Sequence, residues 1–349
     1  MAAIRIGLMG LGRIGRNLFR ILYKSDEIEI VAIDEIADHK TIEYLIRFDT
    51  ILGPFPDELS IQEGHLYVAG RQIPMLSNES PADVPWAEHG VDIVIEAAGR
   101  ERTRAELEQH LEAGAQRVIV CAPPKDPPDL TVVMGVNDDQ LRPEHRIVSN
   151  ASCTAHCAAP IVKILSDAFG IERAFLSTVH AYSNQQRLAD VPSEDPRRGR
   201  AAAENIIPQD SKAAAMVSEL LPELAGRLSG KAINVPVRNG SVVDLVCWHE
   251  KPVTETAINE VVRTAVSSDW QGIVKYEDDP IVSSDIIHSP YSSTFDSLAT
   301  MVLGDRISKT LSWYDNGWGY AHRVVDLIRI LGAFAEAGDD AGAAKGVAP

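Results

Sequence analysis

Two stretches of this chain carry side chains that could do covalent chemistry together. The run Ser149-Asn-Ala-Ser-Cys153-Thr-Ala-His-Cys157 passes from apolar residues into a helical pattern, which puts Cys153 at or near a helix start. There the helix dipole favours a thiolate, the form of cysteine that attacks a carbonyl carbon. Such a nucleophile needs a base, and His180 follows the apolar run 174–179. Element ends far apart in sequence can meet in a fold, so the two residues read as nucleophile and base. Two other readings compete. One is a buried cysteine beside an unrelated core histidine. The other is a metal site drawn from Cys153, His156, Cys157 and His180. The Cys-x-x-His-Cys spacing has no second cysteine pair with it, so no metal is expected. Cys157 lies one helical turn beyond Cys153 and is expected in the core.

A third stretch could hold a phosphorylated cofactor. Gly10-Leu-Gly12-Arg13-Ile14-Gly15 follows an apolar run, opens a helical pattern, and is followed by an acid 19 residues after its last glycine. In that context Gly10 permits a tight turn and Gly12 lets backbone approach a pyrophosphate. Gly15 lets the helix sit close to the strand. The backbone N–H groups at the helix start, around Arg13 and Ile14, face the phosphates. Asp34 or Glu35 then hydrogen-bonds the adenosine ribose and repels a 2′-phosphate, which selects NAD over NADP.

These residues need elements to hold them. Ile4–Met9 reads as a strand, residues 14–23 as a helix and 29–33 as a strand, a β-turn-α-β unit. Residues 64–75 read as a hairpin turning at Val68-Ala-Gly-Arg71. Beyond it come a strand at 91–97, a helix at 101–112 and a strand at 117–121. Alternating strands and helices imply a mostly parallel sheet covered on both faces. After about residue 150 the texture changes. A helix over 153–168 is followed by strands at 174–182, 231–237, 241–250, 297–303 and 307–314. Strands grouped in this way imply a mainly antiparallel sheet in an α+β domain. The expected architecture is an α/β Rossmann dinucleotide-binding domain plus an α+β catalytic domain. Residues 1–152 with a final helix over 318–334 form the first domain and 153–317 the second. Residues 183–204 are polar and Arg-rich without a period, the signature of a functional or interface loop. The tail 335–349 is expected to be disordered.

Composition narrows the classes. At 349 residues, with 45% hydrophobic and 24% charged residues, the chain suits two globular domains. A net charge of −17 argues against nucleic-acid binding. Four cysteines are too few for a disulfide framework. The amino terminus runs straight into a strand pattern, and no apolar run reaches the roughly 18 residues that span a bilayer. The expectation is a cytoplasmic enzyme without membrane partners.

At this point a resemblance becomes specific. Gly10-Leu-Gly-Arg-Ile-Gly-Arg16, Ala151-Ser-Cys-Thr154, Thr178-Val-His-Ala-Tyr182, Arg200-Ala-Ala-Ala-Glu-Asn-Ile-Ile-Pro208, Gly240-Ser-Val-Val-Asp-Leu245 and Trp313-Tyr-Asp-Asn-Gly-Trp-Gly-Tyr320 together resemble the phosphorylating glyceraldehyde-3-phosphate dehydrogenase family, including its erythrose-4-phosphate dehydrogenase branch. The resemblance covers roughly residues 3–332. It implies that Cys153 adds to an aldehyde to give a thiohemiacetal, with His180 as general base. Hydride then passes to the nicotinamide and leaves an acyl thioester, which inorganic phosphate, or water in the erythrose-type branch, releases. It also implies that Asn316 orients the nicotinamide amide, that Ala98, Gly99, Cys121 and Tyr320 join the cofactor set, and that the protein is a homotetramer. Residues 183–204 would be the family's interface loop.

The resemblance makes Ser152, Thr154, Ser183, Arg198, Ser211, Lys212 and Asn234 the expected substrate and phosphate residues; Arg198 matches an arginine the family keeps, and departures from the family pattern fall on several of the others. Ser183 and Gln185 stand where the family has threonine and aspartate, and Ser211-Lys212 where it has Thr-Gly. Asn234 stands where the family has an arginine serving both anion sites. Lys212 or Arg238 could return the charge but not the planar fork. Ala155-His156 and Gly317 also depart from the pattern. The leading expectation is oxidation of a phosphorylated short-chain aldehyde, D-glyceraldehyde 3-phosphate. The alternatives are an erythrose 4-phosphate or other anionic-aldehyde dehydrogenase, and an NAD-binding paralogue without useful turnover.

Overall fold

The protein is described from a computed structural model, over residues 3–184 and 186–343. Its elements in chain order begin with β1 (Ile4–Met9), α1 (Arg13–Leu22), β2 (Ile28–Asp34), α2 (His39–Arg47), β3 (Phe48–Asp49), β4 (Gly53–Pro54), β5 (Leu59–Gln62), β6 (His65–Val68) and β7 (Arg71–Leu76). Next come β8 (Ile93–Glu96), α3 (Arg104–Glu112), β9 (Arg117–Val120), β10 (Leu130–Thr131), β11 (Ile147–Ser149), α4 (Cys153–Phe169), β12 (Arg173–Ala181), β13 (Ile207–Asp210), α5 (Ala213–Leu220) and β14 (Leu228–Val235). The chain ends with β15 (Ser241–Trp248), α6 (Glu255–Val266), β16 (Val274–Glu277), β17 (Ser293–Leu303), β18 (Ile307–Tyr314) and α7 (Trp318–Ala343). Two compact units result. One holds the chain up to Val132, Gln140–Ala151 and the chain from Ala321 onward; the other holds Val133–Asp139 and Ser152–Tyr320.

The first unit is built on a sheet ordered β10-β11-β9-β8-β1-β2-β7-β6-β5. Strands from β10 to β7 run parallel, and β7, β6 and β5 form an antiparallel edge. All four residues of β8 and of β9 are buried, as strands covered by helices on both faces require. α3 starts three residues later than expected. Thr103 caps it in a capping box, its backbone N–H donating to Glu106 (2.7 Å) while Oγ1 accepts from the Glu106 N–H (3.3 Å).

The second unit's sheet is ordered β13-β14-β12-β15-β18-β17-β16. Two of its pairings, β12/β14 and β16/β17, are parallel and the other four antiparallel. β17 begins four residues before the expected strand, because Ser293–Asp296 pair with β16 on one side and Thr294–Asp296 with β18 on the other. Between β12 and β13 the described residues form a long loop, tied by one bridge, Arg187 to Ala201; Gln185 lies outside the described residues. The last helix runs nine residues past the expected end at Phe334. Residues 335–343 of the expected tail are therefore helical, and 344–349 lie outside the described residues.

Candidate active site

Cys153 owes its position to a sharp turn at the end of β11. Ala151 adopts φ +48°, and Ser152 then caps α4, its Oγ accepting the Ala155 N–H at 3.1 Å. Cys153 is the first helical residue. β12 ends one residue after His180, and the two side chains meet with Cys153 Sγ 3.7 Å from His180 Nε2. His180 Nδ1 lies 2.6 Å from the Ala181 carbonyl. A carbonyl only accepts, so Nδ1 carries the proton and Nε2 presents its lone pair to the thiol.

Burial works against the thiolate expected from the helix start. Desolvation pushes the Cys153 thiol up to about 11, while the Thr154 N–H and hydroxyl pull the other way. The thiol therefore depends on its base. Thr154, expected to face substrate, turns its hydroxyl inward to Tyr314 Oη at 2.8 Å, and Tyr314 stacks edge-on against His180 with ring centres 6.0 Å apart. Cys157 is fully buried, with Sγ 3.5 Å from both Ser293 Oγ and the Ser312 carbonyl. Among the described residues no cluster of three or more His, Cys, Asp or Glu could hold a metal ion.

The expected anion residues divide. Asn234, expected as a substrate residue, is buried and pairs in register with His180. Its Nδ2 donates to the Ala181 carbonyl (3.2 Å) and its Oδ1 accepts from Gln209 Nε2. Its amide is thus hydrogen-bonded at both ends within the sheet, on β14 between edge strand β13 and β12. Ser183 holds Gln186 Oε1 through its N–H (2.6 Å) and hydroxyl (3.1 Å). Arg198 pairs with Asp195 of its own loop at 3.6 Å. Ser211 Oγ accepts the Ala213 N–H at 3.2 Å, and Lys212 is exposed at the start of α5. Asn316, expected to serve the cofactor, is buried with Oδ1 3.5 Å from Ser241 Oγ, whose oxygen also accepts the Ala181 N–H at 3.1 Å. Tyr320 packs edge-on to His156 at 6.0 Å.

In the first unit, Gly10, Gly12, Asp34, Glu35, Ala98 and Arg102 line a cavity of about 220 Å³. Gly10 has φ +92°, and a Cβ there would lie 2.6 Å from Ala98 Cα. A Cβ on Gly15 would strike the Gly10 carbonyl oxygen at 2.0 Å, so Gly15 is needed against the turn itself. On Gly12 nothing lies closer than the Ala97 oxygen at 4.0 Å, which leaves room for an outside group to reach the backbone. That cradle, at the start of α1 with Arg13 and Ile14, fits a pyrophosphate. The two acids differ. Glu35 Oε2 accepts the Leu11 N–H (2.6 Å) and Oε1 the Ala37 N–H (3.0 Å), so it clamps the glycine turn. Asp34 is buried and accepts from both the N–H (3.1 Å) and Nδ2 (2.7 Å) of Asn78; burial raises its carboxyl.

Sequence reasoning missed the group that sets the cavity's far wall. Glu96 accepts from the Ala98 N–H (3.0 Å), Arg102 Nε (3.2 Å) and His110 Nε2 (3.3 Å), and His110 Nδ1 accepts from Trp86 Nε1 (3.0 Å). Gly99 has φ +71°, and the Cys121 N–H donates to the Glu96 carbonyl at 3.0 Å. Asn78 left no motif to find it by, and Tyr314 stood inside the Trp313–Tyr320 motif without a role of its own. Asp315 did, because an acid two residues before Gly317-Trp318 is placed to cap a helix. Its Oδ1 accepts the N–H of Gly317 (2.8 Å) and of Trp318 (2.7 Å).

Comparison with known proteins agrees across both units. The family model described as glyceraldehyde 3-phosphate dehydrogenase, NAD binding domain, matches residues 4–104, and that described as the C-terminal domain of the same enzyme matches residues 152–316. Glyceraldehyde-3-phosphate dehydrogenase of Streptomyces coelicolor is 48% identical over 332 residues, 94% of this chain and 98% of the relative. The enzyme of that name from Geobacillus stearothermophilus is 46% identical over 326 residues, 93% and 97% of the two chains. That of Mycobacterium leprae is 46% identical over 336 residues, 94% and 98%.

Proposed function

The chain belongs to the glyceraldehyde-3-phosphate dehydrogenase family, and we propose that it oxidises D-glyceraldehyde 3-phosphate with NAD through a thioester on Cys153, with inorganic phosphate as acyl acceptor. The observation that carries the chemistry is the 3.7 Å approach of Cys153 Sγ to Nε2 of a His180 whose Nδ1 proton is held by the Ala181 carbonyl. The thiol proton passes to His180 Nε2 as sulfur bonds to the aldehyde carbon. The oxyanion formed sits at the start of α4, where the Cys153 N–H is the donor we assign to it. NAD, when bound, supplies the hydride acceptor. His180 returns a proton to the departing sulfur after phosphate has attacked the thioester.

The remaining assignments belong to the same reading. Gly10, Gly12, Arg13, Ile14 and Gly15 hold the pyrophosphate, Glu35 or Asp34 the ribose, and Ala98, Gly99, Cys121, Asn316 and Tyr320 the rest of NAD. Ser152, Thr154, Ser183, Arg198, Ser211 and Lys212 surround the substrate. Residues 1–152 with 318–334 form the NAD-binding domain and 153–317 the catalytic domain; the division of the chain at Ala151/Ser152 and Tyr320/Ala321 supports this. We place the enzyme in the cytoplasm; no described helix is long and apolar enough to cross a membrane. We propose a homotetramer. Exposed Phe175 (56%), Leu298 (61%), Met301 (59%) and Leu303 (72%) on the second unit's strands, and Leu188 (87%) on its loop, support burial against other copies. Sedimentation of a monomer at micromolar concentration would overturn that.

The test of the activity is NADH formation from glyceraldehyde 3-phosphate and NAD at varied phosphate. The expected rate rises with phosphate and saturates. A rate indifferent to phosphate would mean that water takes the acyl group.

A further inference from the structure

The place on β14 where an anion-binding cation would be expected holds Asn234, and its hydrogen bonds run towards His180. The Ala181 carbonyl accepts both His180 Nδ1–H (2.6 Å) and Asn234 Nδ2–H (3.2 Å). Asn234 is 4% exposed and lies directly opposite His180 in the parallel β12/β14 register. The orientation of its amide is not arbitrary. Ala181 O cannot donate, so Nδ2 must face it, which leaves Oδ1 to face Gln209. Oδ1 cannot donate either, so Gln209 must present its Nε2 from edge strand β13. One carbonyl thereby sets the direction of three groups in a row.

We propose that Asn234 and Gln209 are positioning residues for His180: Gln209 orients the Asn234 amide, Asn234 fixes the Ala181 carbonyl, and that carbonyl holds the imidazole with Nε2 aimed at Cys153. The proposal rests on the reading of Cys153 and His180 as nucleophile and base. Ala181 is the last residue of β12, opposite Val235 of β14, and the Tyr182 N–H beside its carbonyl donates to the Val237 carbonyl at 3.1 Å, so Asn234 adds a side-chain hold to a peptide already placed by backbone. The Ser241 hydroxyl accepts the Ala181 N–H (3.1 Å), which fixes the peptide plane before Ala181, and Asn234 donates to the Ala181 C=O, which orients the plane after it. Polarisation along the row makes Asn234 Nδ2 a better donor while Gln209 is in place. Asn234 thus acts on the base, through one intervening carbonyl, and contributes no charge to the substrate.

The test is the rate at which neutral iodoacetamide alkylates Cys153, followed from pH 6 to pH 10 on the full-length protein. It reports delivery of the thiol proton to His180 without need of substrate or turnover. Asn234→Leu is expected to slow alkylation at neutral pH about tenfold, less than the about 10²–10⁴-fold that a general base supplies in full, because the base is misaligned and not removed. The variant and wild-type profiles should converge as pH rises and hydroxide takes the proton instead; damage to the fold alone would lower the rate at every pH. Gln209 gives the sharper comparison. Gln209→Leu removes one donor and is expected to cost twofold or less. Gln209→Glu presents an acceptor, so the Asn234 amide turns round and aims its oxygen at the Ala181 carbonyl. The loss should then match that of Asn234→Leu. A new negative charge acting only through space would favour the imidazolium and speed alkylation, so the sign of the change decides between the two. If Gln209→Glu is no slower than Gln209→Leu, or if Asn234→Leu follows the wild-type profile, the proposal fails. If His180→Gln itself leaves the profile unchanged, the underlying pair fails instead.

Discussion

The cavity beneath the glycine turn and the cleft at Cys153 solve the same problem, holding reactive groups still, with different materials. The first is made of backbone. Gly10 and Gly15 are there because a methyl group would collide at 2.6 Å and 2.0 Å, and Glu35 grips the turn through the Leu11 N–H. The second is made of side chains that share acceptors. His180, Asn234 and Gln209 line up on one carbonyl, while Thr154 and Tyr314 close the floor. A backbone device tolerates almost no change at its fixed positions and any change elsewhere. A side-chain network tolerates replacement of a member as long as donors and acceptors still alternate. The difference predicts graded failures in one region and abrupt ones in the other.

The abrupt end of the side-chain region is the nucleophile. Cys153→Ser is expected to lower NADH formation by at least about 10⁴-fold while NAD binding, followed by titration, stays within twofold. His180→Gln should cost about 10²–10⁴-fold in kcat and flatten the acid limb of the pH profile. Loss of NAD binding in either variant would show that the two regions are not separable.

The backbone region breaks differently. Gly10→Ala must hold alanine at φ +92° against Ala98, a cost of about 3 kcal/mol, so the apparent thermal midpoint and NAD affinity should fall together. Gly12→Ala meets no protein atom closer than 4.0 Å. Its midpoint should stay near wild type while NAD affinity drops about tenfold. Equal thermal loss in both variants would erase the distinction between a glycine needed by the fold and one needed by the ligand.

The smallest effect concerns the buried thiols. Burial pushes Cys157 and Cys247 up to about 12. The unfolded chain releases these protons near pH 9, so between pH 9 and about 12 it binds fewer protons than the folded chain and stability falls as pH rises. Each thiol contributes about 1 kcal/mol per pH unit in that window. Cys247→Ala should make the alkaline unfolding limb shallower by that amount, without touching Cys153 chemistry. An unchanged limb would mean that Cys247 ionises in place.

How far each region could be read from the chain follows from its materials. A glycine demanded by φ or by a collision leaves a fixed letter at a fixed spacing, so the dinucleotide turn and its strand and helix were legible. So was Cys153, which needs a strand, a cap and a helix in that order. Even there, burial opposes the expected ionisation, because desolvation is set by the packing around the thiol and not by the helix start alone. Asn234 was read as a damaged anion site. Its partner Gln209 sits 25 residues earlier on another strand, and register alone brings them together. The α3 start was readable in Thr103 and Glu106 and was placed three residues early, an error of pattern and not of principle.

Ala151 carries a last consequence. Its φ of +48° is a conformation that glycine adopts freely and alanine adopts at a cost of about 1 kcal/mol. The methyl group also removes most of the alternative conformations that glycine would visit there. The protein accepts enthalpic strain at the residue two before its nucleophile and gains a low-entropy pivot. When Cys153 trades its proton for an acyl chain, the helix start has few other places to go.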